Sequence, residues 1–166
     1  MMLSKGFSVL IVEDNVHMMR LLSAMIRTIG VDVIHAVQDP VEALEVLKTN
    51  AIDFAMVDLR LPVIDGIEFT KLVRNSPDSP NPYLPIIMVT AHSEREKVEA
   101  ARDAGVTEFC CKPINANTLF GKIHAIVEHP RPFIRAPNYF GPDRRRRKDP
   151  NYTGPERRQN MEAVRS

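Results

Sequence analysis

The chain has 166 residues, 44% of them hydrophobic, and a formal net charge of +1. That is one ordinary domain with a core of its own plus a modest extension. No run of about 18 apolar residues occurs, which excludes a membrane-spanning helix of the usual kind.

The N-terminal residues Met1 to Gly6 lead straight into a strand-like run. They carry no apolar h-region and no small-residue cleavage site, so they do not read as a secretory signal. Five short apolar runs then recur: Phe7 to Val12, Val31 to Val37, Asp53 to Leu59, Leu84 to Val89 and Val106 to Cys111. Each is mostly unbroken rather than alternating, the pattern of strands buried on both faces of a parallel sheet. Helical patterns lie between them. Met18, Leu22, Met25, Ile26 and Ile29 share one helix face, with Gly30 as the stop. Asp39-Pro40 opens the second helix, and Asp65-Gly66 opens a third that runs to about Asn75. Ser93-Glu94-Arg95-Glu96 is a capping-box pattern for the fourth, which stops at Gly105. The fifth opens near Asn115 and buries Leu119, Ile123, Ile126 and Val127. Strand and helix alternate five times, which predicts an α/β domain with a doubly wound, five-stranded parallel sheet and helices on both faces.

After His129 the composition changes. Residues 1–128 hold 12 Lys+Arg and 17 Asp+Glu, a net of −5, whereas residues 129–166 hold 10 and 4, a net of +6. The second stretch contains six of the 13 prolines and the run Arg144-Arg145-Arg146-Arg147-Lys148. The predicted organisation is a globule over 1–129 and a basic Pro/Arg-rich tail over 130–166, without a second packed core and either disordered or docking, on a partner or on the domain's own output face. The unit Tyr139-Phe140-Gly141-Pro142-Asp143-Arg144-Arg145 returns thirteen residues later as Tyr152-Thr153-Gly154-Pro155-Glu156-Arg157-Arg158, which favours docking over a random charge run. Contact with nucleic acid or an anionic membrane through the arginine cluster is a third reading.

In an open α/β sheet, ligands bind beyond the carboxyl ends of the strands. There stand Glu13 and Asp14 after the first strand, Asp58 at the end of the third, Thr90 after the fourth, and Lys112-Pro113 after the fifth. The second strand contributes nothing obvious. Three carboxylates in one crevice repel one another and call for a cation, and hard oxygen ligands point to Mg²⁺. Lys112 supplies a point charge and Thr90 a hydroxyl for a phosphoryl group, and a carboxylate can be the nucleophile that accepts it. Taken singly, each residue has a plainer role: a helix cap, a surface acidic pair, a snorkelling lysine. Asp65-Gly66 reads as structural. The five histidines form no metal pattern, and Cys110 and Cys111 read as small core residues of the fifth strand in a reducing, cytoplasmic setting.

Together, Val9-Leu10-Ile11-Val12-Glu13-Asp14, Asp58-Leu59-Arg60-Leu61-Pro62-Val63-Ile64-Asp65-Gly66, Val89-Thr90-Ala91 and Lys112-Pro113 resemble the receiver domain of bacterial two-component response regulators. The resemblance covers roughly residues 5–128. It implies the flavodoxin-like strand order 2-1-3-4-5. It implies a phosphoryl group on Asp58 and Mg²⁺ held by Asp14 and Asp58, by Glu13 directly or through water, and by the backbone carbonyl of Arg60. It implies phosphoryl oxygens on Thr90 and Lys112 and a cis peptide before Pro113. It assigns a switch to Thr90 and Phe109, read out on the surface of helix four, strand five and helix five, where an output protein binds. Arg60 and His92 fall where the family tunes dephosphorylation, and Leu61 stands where Met is frequent.

The implied donor is a histidine kinase or a histidine phosphotransfer protein. The implied chemistry is the chain's own phosphorylation and dephosphorylation, with no external substrate. Two other readings share the site: a phosphoryl shuttle or sink in a phosphorelay, and a nucleic-acid-binding adaptor acting through the basic tail.

Overall fold

The computed structural model describes residues 6–91, 95–145 and 162–164. The order is β1 (Ser8–Val12), α1 (Val16–Arg27), β2 (Val33–Val37), α2 (Pro40–Thr49), β3 (Phe54–Asp58), α3 (Gly66–Asn75), β4 (Ile86–Ala91), α4 (Arg95–Ala104), β5 (Glu108–Lys112), α5 (Ala116–Glu128), β6 (Phe133–Ala136), β7 (Tyr139–Pro142) and β8 (Glu162–Val164). The first five strands form one parallel sheet in the order β2-β1-β3-β4-β5, as expected.

Alternation along the central strands divides the core between two sides. Val9 and Ile11 of β1 and Phe54 and Met56 of β3 face Leu22, Ile26, Leu119 and Ile123 of α1 and α5. Leu10 and Val12 of β1 and Ala55 and Val57 of β3 face Ala43, Leu47, Phe69 and Val73 of α2 and α3. A smaller cluster of Leu59, Met88, Ala101 and Val106 lies under α4, with Phe109 half-buried against it. Cys110 is a core residue as expected, but Cys111 is exposed, because successive side chains of edge strand β5 point to opposite faces. Most helices begin on a side-chain cap. Asn15 accepts from the amides of His17 and Met18, Asp39 from Val41, Asp65 from Glu68 and Asn115 from Thr118. Ser93 and Glu94 of the expected capping box lie outside the described residues.

Within the described residues, part of the tail folds back on the globule, one of the two docking arrangements expected for it, but it does so as a strand hairpin that the sequence did not announce. β6 and β7 form an antiparallel hairpin around Pro137-Asn138, and β8 pairs with the other side of β6. Phe133, Ile134 and Phe140 are buried. Phe133 and Phe140 meet Tyr83, just before β4, with ring centroids 5.2 and 5.4 Å away. The hairpin thus completes an apolar cluster that the globule begins, so it needs no core of its own. Average composition hid this because prolines and arginines outnumber the few aromatics. Residues 146–161, which hold the second copy of the repeated unit, lie outside the described residues.

The repeated unit's first copy forms the clasp. Tyr139 donates its hydroxyl to the Pro142 carbonyl at 2.7 Å. The Arg144 guanidinium lies 4.0 Å over the Tyr139 ring and 2.9 Å from Asp103 on α4. Gly141 abuts Gly105: a Cβ on Gly141 would lie 2.8 Å from Gly105 Cα. Gly105 itself has φ +100°, so the contact needs glycine on both sides. Beneath them Arg74 of α3 is buried. It donates from Nε and Nη2 to the Gly105 carbonyl (3.1 and 3.0 Å) and from Nη1 to the Pro82 carbonyl (2.8 Å), and lies 5.0 Å from the Phe133 ring centre. Burial pulls this guanidinium below its ordinary pKa, yet it remains a cation at neutral pH.

Candidate functional site

Strands β1 and β3 are neighbours in register, Val12 opposite Val57. The residues just beyond, Glu13 and Asp14, therefore come to Asp58. One carboxylate oxygen from each of Glu13, Asp14 and Asp58 can be chosen so that all three lie within 4.8 Å of one another. Glu13 is 1% exposed and Asp58 6%, whereas Asp14 opens to solvent. From the end of β5, Lys112 Nζ reaches Asp58 Oδ2 at 2.9 Å and Glu13 Oε2 at 3.1 Å. Its peptide to Pro113 is cis.

Burial, reinforced by the charge of Asp58, pushes the Glu13 carboxyl up to about 7 against the opposing Asn15 amide and Lys112. Burial works against the Lys112 ammonium, but its contacts with Asp58 and Glu13 outweigh that and leave its pKa above the ordinary value. The site is thus an acidic cluster whose internal cation is insufficient to keep every carboxyl ionised with ease.

Backbone amides hold the two buried carboxylates in place. Asn15 donates to Glu13 Oε1 at 3.1 Å and Arg60 to Asp58 Oδ1 at 3.2 Å. Thr90 is buried one position beyond Val89, the register partner of Asp58; its hydroxyl donates to the Ala91 carbonyl at 3.3 Å. Gly66 packs against the end of β3, where a Cβ would lie 2.4 Å from the Asp58 carbonyl oxygen. His92 lies outside the described residues.

Two contributors were not visible in the sequence. The second strand, expected to add nothing, ends beside Gln38, whose Nε2 donates to the Asp14 carbonyl at 2.9 Å. In the loop after β3, the Ile64 amide bonds the Pro62 carbonyl at 2.8 Å, a γ-turn that forces Val63 to φ +69°. Val63 is 85% exposed, so no packing compensates for a β-branched residue in that region.

A doubly wound sheet carrying an acidic trio and a lysine at its carboxyl edge defines an aspartate-centred phosphoacceptor architecture. Residues 9–124 match the response regulator receiver domain, and the chain belongs to that family. Chemotaxis protein CheY-3 of Vibrio cholerae is 34% identical over 126 residues, 76% of this chain and 95% of that protein. The solved structure of Vibrio cholerae chemotaxis protein CheY4 superposes with a TM-score of 0.66 at 28% identity, covering 74% of this chain and all of that one. The receiver domain of a sensor histidine kinase from Pseudomonas aeruginosa, with a magnesium ion coordinated in its active-site cleft, gives 0.64 at 28% identity, over 72% of this chain and 95% of that one.

Proposed function

We propose that this receiver is switched by phosphorylation of Asp58 and signals through protein contacts. The observation that carries this reading is the placement of Asp58: almost buried, hydrogen-bonded to Lys112, and beside two further carboxylates. An Asp58 oxygen attacks the phosphorus of a phosphohistidine on a kinase or phosphotransfer protein. The P–N bond breaks, and the imidazole leaves as the neutral base once protonated. Lys112 takes a phosphoryl oxygen as it gives up part of its contact with Asp58, and the Thr90 hydroxyl binds another.

The donor set suits Mg²⁺. It is all oxygen, with Asp14 open to water and Glu13 poorly able to ionise without a further cation. Asp14 and Asp58, with Glu13 and the Arg60 carbonyl, would hold the ion, which would neutralise charge on the phosphoryl oxygens. Thr90 and Phe109 are the switch in this reading, and an output protein binds α4, β5 and α5. The only chemistry is the chain's own phosphorylation and dephosphorylation. A cytoplasmic setting belongs to the same reading, supported by free Cys110 and Cys111; no helix among the described residues is long and apolar enough to cross a membrane. Nucleic-acid contact gains no support from the described tail arginines, which are engaged by protein: Arg131 and Arg144 with Glu108 and Asp103, Arg145 with Asp143, and Arg135 over Phe140.

The test is intact-mass spectrometry after incubation with a small phosphodonor and Mg²⁺, beside Asp58→Asn. One added phosphoryl group in the wild type alone, absent when the cation is chelated, is the expected result. No adduct on a folded wild-type chain, or an equal adduct on Asp58→Asn, refutes the assignment.

A further inference from the structure

β6 is the middle strand of its small sheet. One side is fixed, because β7 follows through a two-residue turn and is clasped to α4 through Gly141–Gly105 and Arg144–Asp103. The other side is completed from far along the chain. Phe133 pairs with Val164, Ile134 with Ala163 and Arg135 with Glu162. This β8 has only three residues, and nineteen residues, 143–161, separate it from β7. A strand that short is held by few ladder hydrogen bonds and has no stability of its own. Whenever it leaves, β6 presents an open, immobilised edge, which is a template for another strand.

We propose that the β6 edge is a self-recognition site, at which two copies of this chain exchange residues 162–164 so that each β8 completes the other's sheet. Three observations favour a second copy as the occupant. First, the antiparallel register is the same whether β8 comes from its own chain or another, so exchange loses no ladder bond. Second, nineteen residues reach at most about 60 Å when extended, against roughly 30 Å for the diameter of a small domain, so the connection can cross to a neighbour. Third, Arg144 and Arg145 are engaged within their own chain, but residues 146–161 still hold five Lys+Arg against two Asp+Glu, while residues 1–128 carry a net charge of −5; the connecting sequence of one copy is complementary in charge to the body of another. The exchange is reciprocal and closes on itself as a two-fold dimer. Its competitor is the same strand in its own chain, favoured by a local concentration in the millimolar range. Attraction between the basic connection of one copy and the acidic body of the other is screened by salt, so the dimer strengthens as salt falls.

Arg135 is exposed and is the register partner of Glu162, which gives a direct test in the full chain. In a Cys111→Ser background, which removes the exposed thiol, Arg135→Cys and Glu162→Cys are made separately, mixed and mildly oxidised at low salt. Asn138→Cys mixed with Glu162→Cys is the out-of-register control. The expected product is a covalent heterodimer roughly tenfold above that control, with a concentration-dependent dimer of the unmodified chain in light scattering. Pro132 bonds toward β7 through Asp143, so by alternation Phe133 bonds toward β8 and its partner there is Val164; Val164→Pro removes that backbone donor and should leave a monomer. Three results overturn the proposal. One is an internal disulfide in the Arg135→Cys/Glu162→Cys double variant with no heterodimer from the mixture. Another is no crosslink in either arrangement. The third is a dimer that persists in Val164→Pro, which would place the contact on another surface.

Discussion

Lys112 Nζ lies 2.9 Å from Asp58 Oδ2 and 3.1 Å from Glu13 Oε2, so one ammonium serves two buried carboxylates. The same group therefore has two opposed effects: it stabilises a phosphoryl group at Asp58 and competes with any cation for the acidic cluster. Lys112→Ala separates them. Phosphorylation by a small donor should slow by about 10²-fold or more, the usual cost of one oxyanion-stabilising group. Mg²⁺ should bind more tightly than to the wild type, because the cluster has lost its internal positive charge. Mass-spectrometric time courses and titration calorimetry read the two effects; weaker Mg²⁺ binding in the variant would contradict this account.

Cation binding should also appear as stability. Mg²⁺ at about 100 times its dissociation constant should add about 2.7 kcal/mol to unfolding. Asp14 is exposed, so Asp14→Ala should fold normally in chelator yet lose most of that gain. Urea melts with and without Mg²⁺ measure it. An undiminished gain in the variant would remove Asp14 from the ligand set.

Arg74 links α3 to the hairpin by bonding the Gly105 and Pro82 carbonyls and lying beside Phe133. Arg74→Met fills much of the space but leaves those carbonyls without donors, at about 1–3 kcal/mol for each buried group left unmet. A total loss of roughly 2–4 kcal/mol is expected in urea unfolding, together with faster proteolysis between residues 130 and 145. Arg74→Lys should not restore the wild-type value, since an ammonium lacks the planar fork that spans both carbonyls.

Val63 should be replaceable to advantage. Its φ of +69° is strained for a β-branched side chain, by about 1–2 kcal/mol, whereas glycine adopts it freely at some cost in unfolded-chain entropy. Val63→Gly should raise stability by about 0.5–1 kcal/mol in thermal or urea melts. A lower midpoint would mean that the exposed isopropyl group contributes something the turn geometry does not reveal.

The sheet and its site could be read from the sequence because both depend on local signals. Unbroken apolar runs mark strands such as β3 and β4, which are buried on both faces, and the chemistry sits at their carboxyl ends. Edge strand β2 was placed correctly, but its contribution through Gln38 was missed, since a side-chain amide bonding a carbonyl 24 residues away leaves no periodic trace. Arg74 is harder still: it looks like an ordinary basic residue in the last turn of α3, and its partners are 31 and 59 positions along the chain. The hairpin was hidden for the same reason. Phe133 and Phe140 are too few to suggest a core, and only Tyr83, supplied by the globule, makes them one.

The Gly105–Gly141 contact bears on how this protein can be divided. The family match ends at residue 124, and a shortened version would naturally be cut near residue 129. That cut would strip the cover from Tyr83 and Arg74 and leave an aromatic ring and a guanidinium with no hairpin to pack on. Such a fragment should express poorly and clump at concentrations where the full chain stays in solution. For this chain, the smallest self-sufficient unit is therefore longer than the ancestral pattern it inherits.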